Sequence, residues 1–376
     1  MENLRVVRSA QPEQLTSDKL CRAQWTKLLS VVVVISLLAI MNRTSLFFGV
    51  LVFFICATQS AFGFPPQRRQ PKIDKKKLVT EIANVRDCDE VWLLKIHDDN
   101  GTPDPEHLTV KQQLTPRQRE QIPTECGWLD QQLSDLTQAH LIAPELQTVI
   151  YIPGWRTTDC SGLRQANAVY NAMIKSDELP PIRFVSLVWK AEQSEKRYRQ
   201  DFIQKSNYSL TVGNAMLPIM QQFQNRDVVL VGHSLGVQVV LSFLTQRNML
   251  PDDGTRYKTA FLGSALNCDF ANNIKNQRLS FQCQTSQSLI VNNARDGALR
   301  LSSKRVCHPG LGRDAGSLDP VVEQNLVPLG NRQRIEVKSE VGCRHDVAYY
   351  VGSQKFAGNM AVLLNTEVLP TANYSN

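Results

Sequence analysis

The stretch Asp227-Val228-Val229-Leu230-Val231-Gly232-His233-Ser234-Leu235-Gly236 decides how this 376-residue chain folds. Its apolar, mostly β-branched run breaks at Gly232-x-Ser234-x-Gly236, and Val237 to Gln246 suit a helix. That order reads as a buried strand, a sharp turn and a helix. A turn of this kind strains the backbone of its central residue. Bulky side chains two positions to either side would collide with the strand and the helix, hence the two glycines. Ser234 would then stand above the carboxyl edge of a sheet, with the N–H of Leu235 aimed at any developing oxyanion. The competing reading is a Ser-containing turn without chemistry.

Outward from this stretch, strand-like runs alternate with helical ones. The strands are expected at Val91–Ile96, Thr148–Ile152, Phe184–Trp189, Lys258–Leu262 and Ser288–Val291. Helical faces recur at Ala168, Val169, Ala172 and Met173, and at Val212, Ala215, Met216, Ile219 and Met220. The alternation predicts an α/β fold, a mostly parallel central sheet with helices on both faces. Residues 302–333, rich in Gly, Pro and Asn, read as long loops over the functional edge, where a lid would sit.

The first 63 residues read differently. Apolar runs at Leu28–Met41 and Leu46–Ala57 are split by Asn42-Arg43-Thr44-Ser45. One membrane anchor through 28–58 would put Asn42 and Arg43 near the bilayer centre, which is costly. Residues 41–63 instead read as a secretory signal cleaved after Gly63, with 1–40 an upstream extension. The anchored form is the alternative. Residues 64–85 form a basic, Pro-rich arm and 86–370 the folded domain. Six of the 42 Lys and Arg and three of the 35 Asp and Glu fall in the leader, so the rest carries about +4. That modest charge, without basic–aromatic interleaving, does not point to nucleic acid.

Seven cysteines remain beyond the leader, at 88, 126, 160, 268, 283, 307 and 343. With sequons at Asn100, Asn207 and Asn373, they suit a glycosylated protein of an oxidising compartment. Pairs Cys268–Cys283 and Cys307–Cys343 are expected, with one bridge among Cys88, Cys126 and Cys160. No CxxC spacing suggests zinc, so no metal is expected.

Four segments, Ile150-Tyr151-Ile152-Pro153-Gly154-Trp155, Val188-Trp189, Gly232–Gly236 and Gly342-Cys343-Arg344-His345, together resemble the pancreatic-lipase family of α/β hydrolases, especially its compact secreted insect members. The resemblance covers about Val91 to Met360 and implies the α/β-hydrolase fold. It implies a nucleophile at Ser234, a base at His345 and oxyanion donors in the backbone of Trp155 and Leu235. Pro153 stands where the family has His. The implied donor is the N–H of Trp155, so that exchange need not empty the hole. Of the other histidines, His97, His107 and His140 are expected to face solvent, His233 to support packing, and His308 to be a weak competitor.

The acid departs from the family. Its Asp belongs where this chain reads Leu262-Gly263-Ser264-Ala265-Leu266, so Ala265 replaces the carboxylate. Two substitutes are open: Asp269 on the same loop, and Asp296 after the next strand. Asp296 is preferred by resemblance: many other α/β hydrolases carry their acid after that later strand, its segment is similar to the acid-bearing stretch of fungal lipases, and the chain order Ser…Asp…His is kept. Its plain alternative is a surface Asp in an exposed Arg-Asp-Gly turn. The expected function is a secreted carboxylic-ester hydrolase acting on lipid, of triacylglycerol-lipase or phospholipase A1 type, working on a lipid surface without cofactor or metal. Alternatives are a non-catalytic relative binding lipid or another hydrophobic ligand, as yolk proteins of the family do, and an anchored surface protein. Oligomeric state is left open.

Overall fold

The computed structural model describes residues 81–97, 103–105, 108–121, 127–176, 178–192, 194, 197–223, 227–251, 254–266, 270, 285–299 and 332–366. All fall in the second of two units into which the chain divides, Lys77–Asn376. The leader, most of the basic arm, Asp269, His107, His308 and the loop 302–331 lie outside the described residues. No described helix is long and apolar enough to cross a membrane.

In chain order the strands are β1 Glu90–Lys95, β2 Thr109–Gln113, β3 Trp128–Gln131, β4 Gln147–Ile152, β5 Ile182–Val188, β6 Val228–His233, β7 Tyr257–Leu262, β8 Thr285–Asn292 and β9 Arg332–Glu336. The helices are α1 Pro116–Arg119, α2 Leu133–Ile142, α3 Asp159–Met173, α4 Tyr198–Met220, α5 Gly236–Arg247, α6 Lys338–Val341, α7 Val347–Val351 and α8 Gln354–Asn365. They build one sheet in the order β3-β2-β1-β5-β4-β6-β7-β8-β9. Only β2 runs against its neighbours; every pairing from β1 to β9 on the other side is parallel. This is the α/β-hydrolase fold, with the elbow strand β6 in the middle of the sheet.

Burial follows from that central place. Every residue of β6 is buried, as is every residue of β5 and β7. Each Val or Leu so covered contributes about 1.5–3 kcal/mol by leaving water. One face of the sheet packs on α4 and α5, through Val212, Met216, Ile219, Val240 and Leu244. The other packs on α3, α7 and α8, through Val169, Met173, Val347, Phe356 and Met360. The polar strands β2, β3 and β9 close the edges, and β9 begins inside the stretch expected to be loop. The packed domain also starts earlier than residue 86. Ile82 is buried and its N–H donates to Gln113 Oε1 at 2.9 Å.

Two expectations fail. His97 and His140 are only 8% and 2% exposed, not solvent-facing. His140 Nδ1 lies 2.9 Å from Thr148 Oγ1, so the sheet face has absorbed it. Cys88, Cys160 and Cys343 are free thiols, which leaves Cys343 without the expected bridge and rules out one between Cys88 and Cys160.

Candidate active site

The elbow forms where β6 meets α5. Ser234 has φ 53°, in the left-handed region that costs a non-glycine residue on the order of 1–3 kcal/mol. Its N–H donates to Leu262 O at 2.9 Å, and its carbonyl accepts from Val237 and Ala265, each at 3.1 Å. The flanking glycines are required by contact. A Cβ at Gly232 would lie 2.9 Å from the backbone of Val237, and one at Gly236 would run into the carbonyl oxygen of Ile152.

His345 reaches this turn from the far end of the chain. Its Nε2 is 2.7 Å from Ser234 Oγ, and its Nδ1 is 2.6 Å from Asp296 Oδ2. A carboxylate only accepts, so Nδ1 carries the proton and Nε2 is left to accept the Ser234 hydroxyl. The loop bearing His345 is fixed by the residues that leave β8. Asn293 Nδ2 donates to the carbonyls of Gly342 at 3.0 Å and Arg344 at 3.3 Å. Gly297 N donates to Cys343 O at 3.0 Å. His233, from inside the elbow, holds the carbonyl of His345 itself, Nε2 to O at 3.0 Å. Burial, with His345 alongside, pushes the His233 imidazole down to about 3, so it stays neutral.

Asp296 is 0% exposed, which excludes the exposed-turn reading. Besides His345 it accepts from the Tyr350 hydroxyl at 2.5 Å and from Leu299 N at 3.0 Å. Burial alone would raise its carboxyl. The hydrogen bond and charge of His345, with the Tyr350 and Leu299 donors, outweigh that and hold it below the usual carboxylate range. Burial beside Asp296 pushes the Tyr350 phenol well up, so it remains a donor.

The Tyr350 ring also packs on the exit of β7. Gly263, with φ 50°, lies under it, and a Cβ there would come within 2.6 Å of the ring. Ala265, buried, offers only its N–H, to Ser234 O. Tyr350, Asn293 and the His233 bond had no sequence signal, because each is defined by a partner far away along the chain.

The loop after β4 supplies the third wall. Gly154 passes so close to Ser234 that a Cβ would lie 2.7 Å from the Ser234 Cβ. Three contacts shape the loop: Trp189 Nε1 to Pro153 O at 2.8 Å, Thr157 Oγ1 to Gly154 O at 2.6 Å, and Arg156 N to Ala191 O at 2.7 Å. Among the described residues no protein acceptor takes the N–H of Trp155 or of Leu235. Two free amides beside Ser234 are what an oxyanion hole requires.

The sheet order and the strand–turn–helix around Ser234 define an α/β hydrolase fold, with a Ser–His–Asp line at its carboxyl edge. No protein-family model matches the chain, and no curated protein matches it by sequence. Among solved structures it is similar to the lin2722 gene product of Listeria innocua, at 12% identity and TM-score 0.37, covering 59% of this chain and 95% of that one. A candidate hydrolase of Agrobacterium vitis follows at 11% identity and TM-score 0.36, covering 68% and 93%. Lipase B of Aspergillus fumigatus shows 10% identity and TM-score 0.30, covering 53% and 46%.

Proposed function

We propose that this protein is a secreted carboxylic-ester hydrolase acting on lipid, akin to the pancreatic-lipase family. The observation that carries the reading is the unbroken line Asp296–His345–Ser234, with both bonds under 2.8 Å. Ser234 Oγ attacks the acyl carbonyl as its proton passes to His345 Nε2. Asp296 holds the imidazole tautomer and stabilises the imidazolium that results. The N–H groups of Trp155 and Leu235 bind the oxyanion. His345 then protonates the leaving alcohol, and a water activated by the same nitrogen releases the acid. Neither metal nor organic cofactor takes part.

The lipid substrate and the extracellular site follow from the family resemblance and from the signal-like residues 41–63. The non-catalytic ligand-binding alternative rests on the residues at Pro153 and Ala265, where the resembling family has His and Asp; the 2.6 Å contact between Asp296 and His345 supports the catalytic reading. Turnover of short- and long-chain p-nitrophenyl esters by the purified protein tests the proposal. Ser234→Ala is expected to lower it by on the order of 10⁶-fold, to background. A folded wild type without turnover that binds fluorescent fatty acid would establish the ligand-binding alternative instead.

A further inference from the structure

In the loop after β4, close packing and a fixed backbone make opposite demands. Gly154 has no room for a side chain: a Cβ there would lie 2.7 Å from the Ser234 Cβ and 2.9 Å from the carbonyl oxygen of His233. A glycine also lets the peptide that follows it turn over at little cost. That peptide joins Gly154 to Trp155, and its N–H is the one assigned to the oxyanion. Turned over, it would present a carbonyl oxygen to the developing negative charge instead.

Several bonds hold its neighbours. Trp189 Nε1 donates to Pro153 O, Arg156 N donates to Ala191 O, and the buried Asp201 accepts the Trp155 indole N–H at 2.6 Å. Among the described residues, the Gly154–Trp155 peptide itself takes one hydrogen bond, from Thr157 Oγ1 to Gly154 O at 2.6 Å. The C=O and N–H of a trans peptide point to opposite sides of the chain. Holding the carbonyl on the Thr157 side therefore holds the N–H on the other.

The Thr157 hydroxyl is itself directed. A carbonyl only accepts, so the one hydroxyl proton goes to Gly154 and the oxygen is left to accept. Gln165 Nε2 supplies that bond at 3.2 Å, and Gln165 Oε1 accepts from the Tyr151 hydroxyl at 3.0 Å. The line Tyr151–Gln165–Thr157–Gly154 thus runs one way. The Thr157 side chain is buried, and its methyl lies so close to Gly162 that a Cβ there would be 3.2 Å away.

We propose that Thr157 is a positioning residue that latches the Gly154–Trp155 peptide with its N–H towards the oxyanion. The inference rests on the ester-hydrolase reading and adds a residue to its machinery. Thr157→Val keeps the shape and removes the hydroxyl, whereas Thr157→Ser keeps the hydroxyl. Both are compared with wild type and Ser234→Ala on p-nitrophenyl butyrate, with inhibition by an alkyl trifluoromethyl ketone and with thermal melts to check folding.

Thr157→Val is expected to lose roughly ten- to a hundredfold in kcat, less than the loss of a whole oxyanion donor, with KM little changed. The ketone, whose adduct with Ser234 carries an oxyanion, should weaken by the same factor. Thr157→Ser should restore both, and the pH profile of kcat/KM should stay in place because Thr157 does not touch His345. A wild-type kcat in Thr157→Val, a loss carried by KM, or an equal loss in Thr157→Ser would overturn the latch and leave the hydrolase intact. If folded wild type hydrolyses nothing, the hydrolase reading fails, and the Trp155 amide resonance of ¹⁵N-tryptophan-labelled protein decides the latch. A single resonance in wild type and Thr157→Ser that moves or doubles in Thr157→Val supports it; one unchanged in all three removes it.

Discussion

Two neighbouring strands leave the sheet at the same edge and end very differently. Beyond β7 the chain reads Gly263-Ser264-Ala265, and Gly263 makes room for the Tyr350 ring. Beyond β8 it reads Asn293-Ala294-Arg295-Asp296, with Asn293 and Asp296 both buried and tied to the His345 loop. The β7 exit is packing surface; the β8 exit supplies the carboxylate and the scaffold together. The imidazole needs an acceptor at Nδ1, not a particular strand.

Removing the β8 carboxylate should do the most damage. Asp296→Asn is expected to lower kcat on p-nitrophenyl butyrate by about 10⁴-fold, the loss seen when a serine protease loses its acid. Ala265→Gly, at the β7 exit, should stay near wild type in the same assay. Tyr350→Phe comes next. It removes a hydrogen bond to a charged group, worth about 1.5–3 kcal/mol, so kcat should fall by roughly ten- to a hundredfold. The same change alters acid stability. Asp296 has a depressed carboxyl, so its contribution is present above the usual 3.8 and lost as pH falls through its lower folded value. Without the Tyr350 donor the folded value rises towards 3.8, so the contribution is smaller and is exhausted at higher pH, seen as an acid-unfolding midpoint shifted upward.

Gly263→Ala tests the packing side of the comparison. The added methyl meets the Tyr350 ring in a left-handed backbone, and the melting temperature should fall by several degrees, for a cost of about 1–3 kcal/mol. His233 is tested through pH. An imidazole lowered to about 3 stays unprotonated in the fold while the unfolded chain takes up a proton below 6.5. Stability therefore falls as pH drops between those values. His233→Gln should flatten that slope in melting temperature against pH.

Much of this was legible in the sequence, and the exceptions have physical causes. The buried strands β1 and β4 to β8 announce themselves as apolar runs, because both faces are covered. Strands at or next to the edges, β2, β3 and β9, such as Arg332-Gln333-Arg334-Ile335-Glu336, are partly exposed and polar, so they read as loop. Ser234 and His345 stood out through local motifs. Asp296 did not, because an Arg-Asp-Gly segment looks the same whether its carboxylate faces water or an imidazole. Its burial is decided by Tyr350 and Leu299, which contact it only in the folded chain. His140 misled for the same reason: a helix residue of weak pattern turned out to pack on Thr148.

The choice of acid is tested most directly by proton NMR of the His345 imidazole. A carboxylate on Nδ1 holds that proton in slow exchange and shifts it far downfield. The account predicts a downfield resonance in the wild type and in Asp269→Asn that disappears in Asp296→Asn. Its persistence in Asp296→Asn, with loss in Asp269→Asn, would place the acid on the loop after β7 and contradict the assignment.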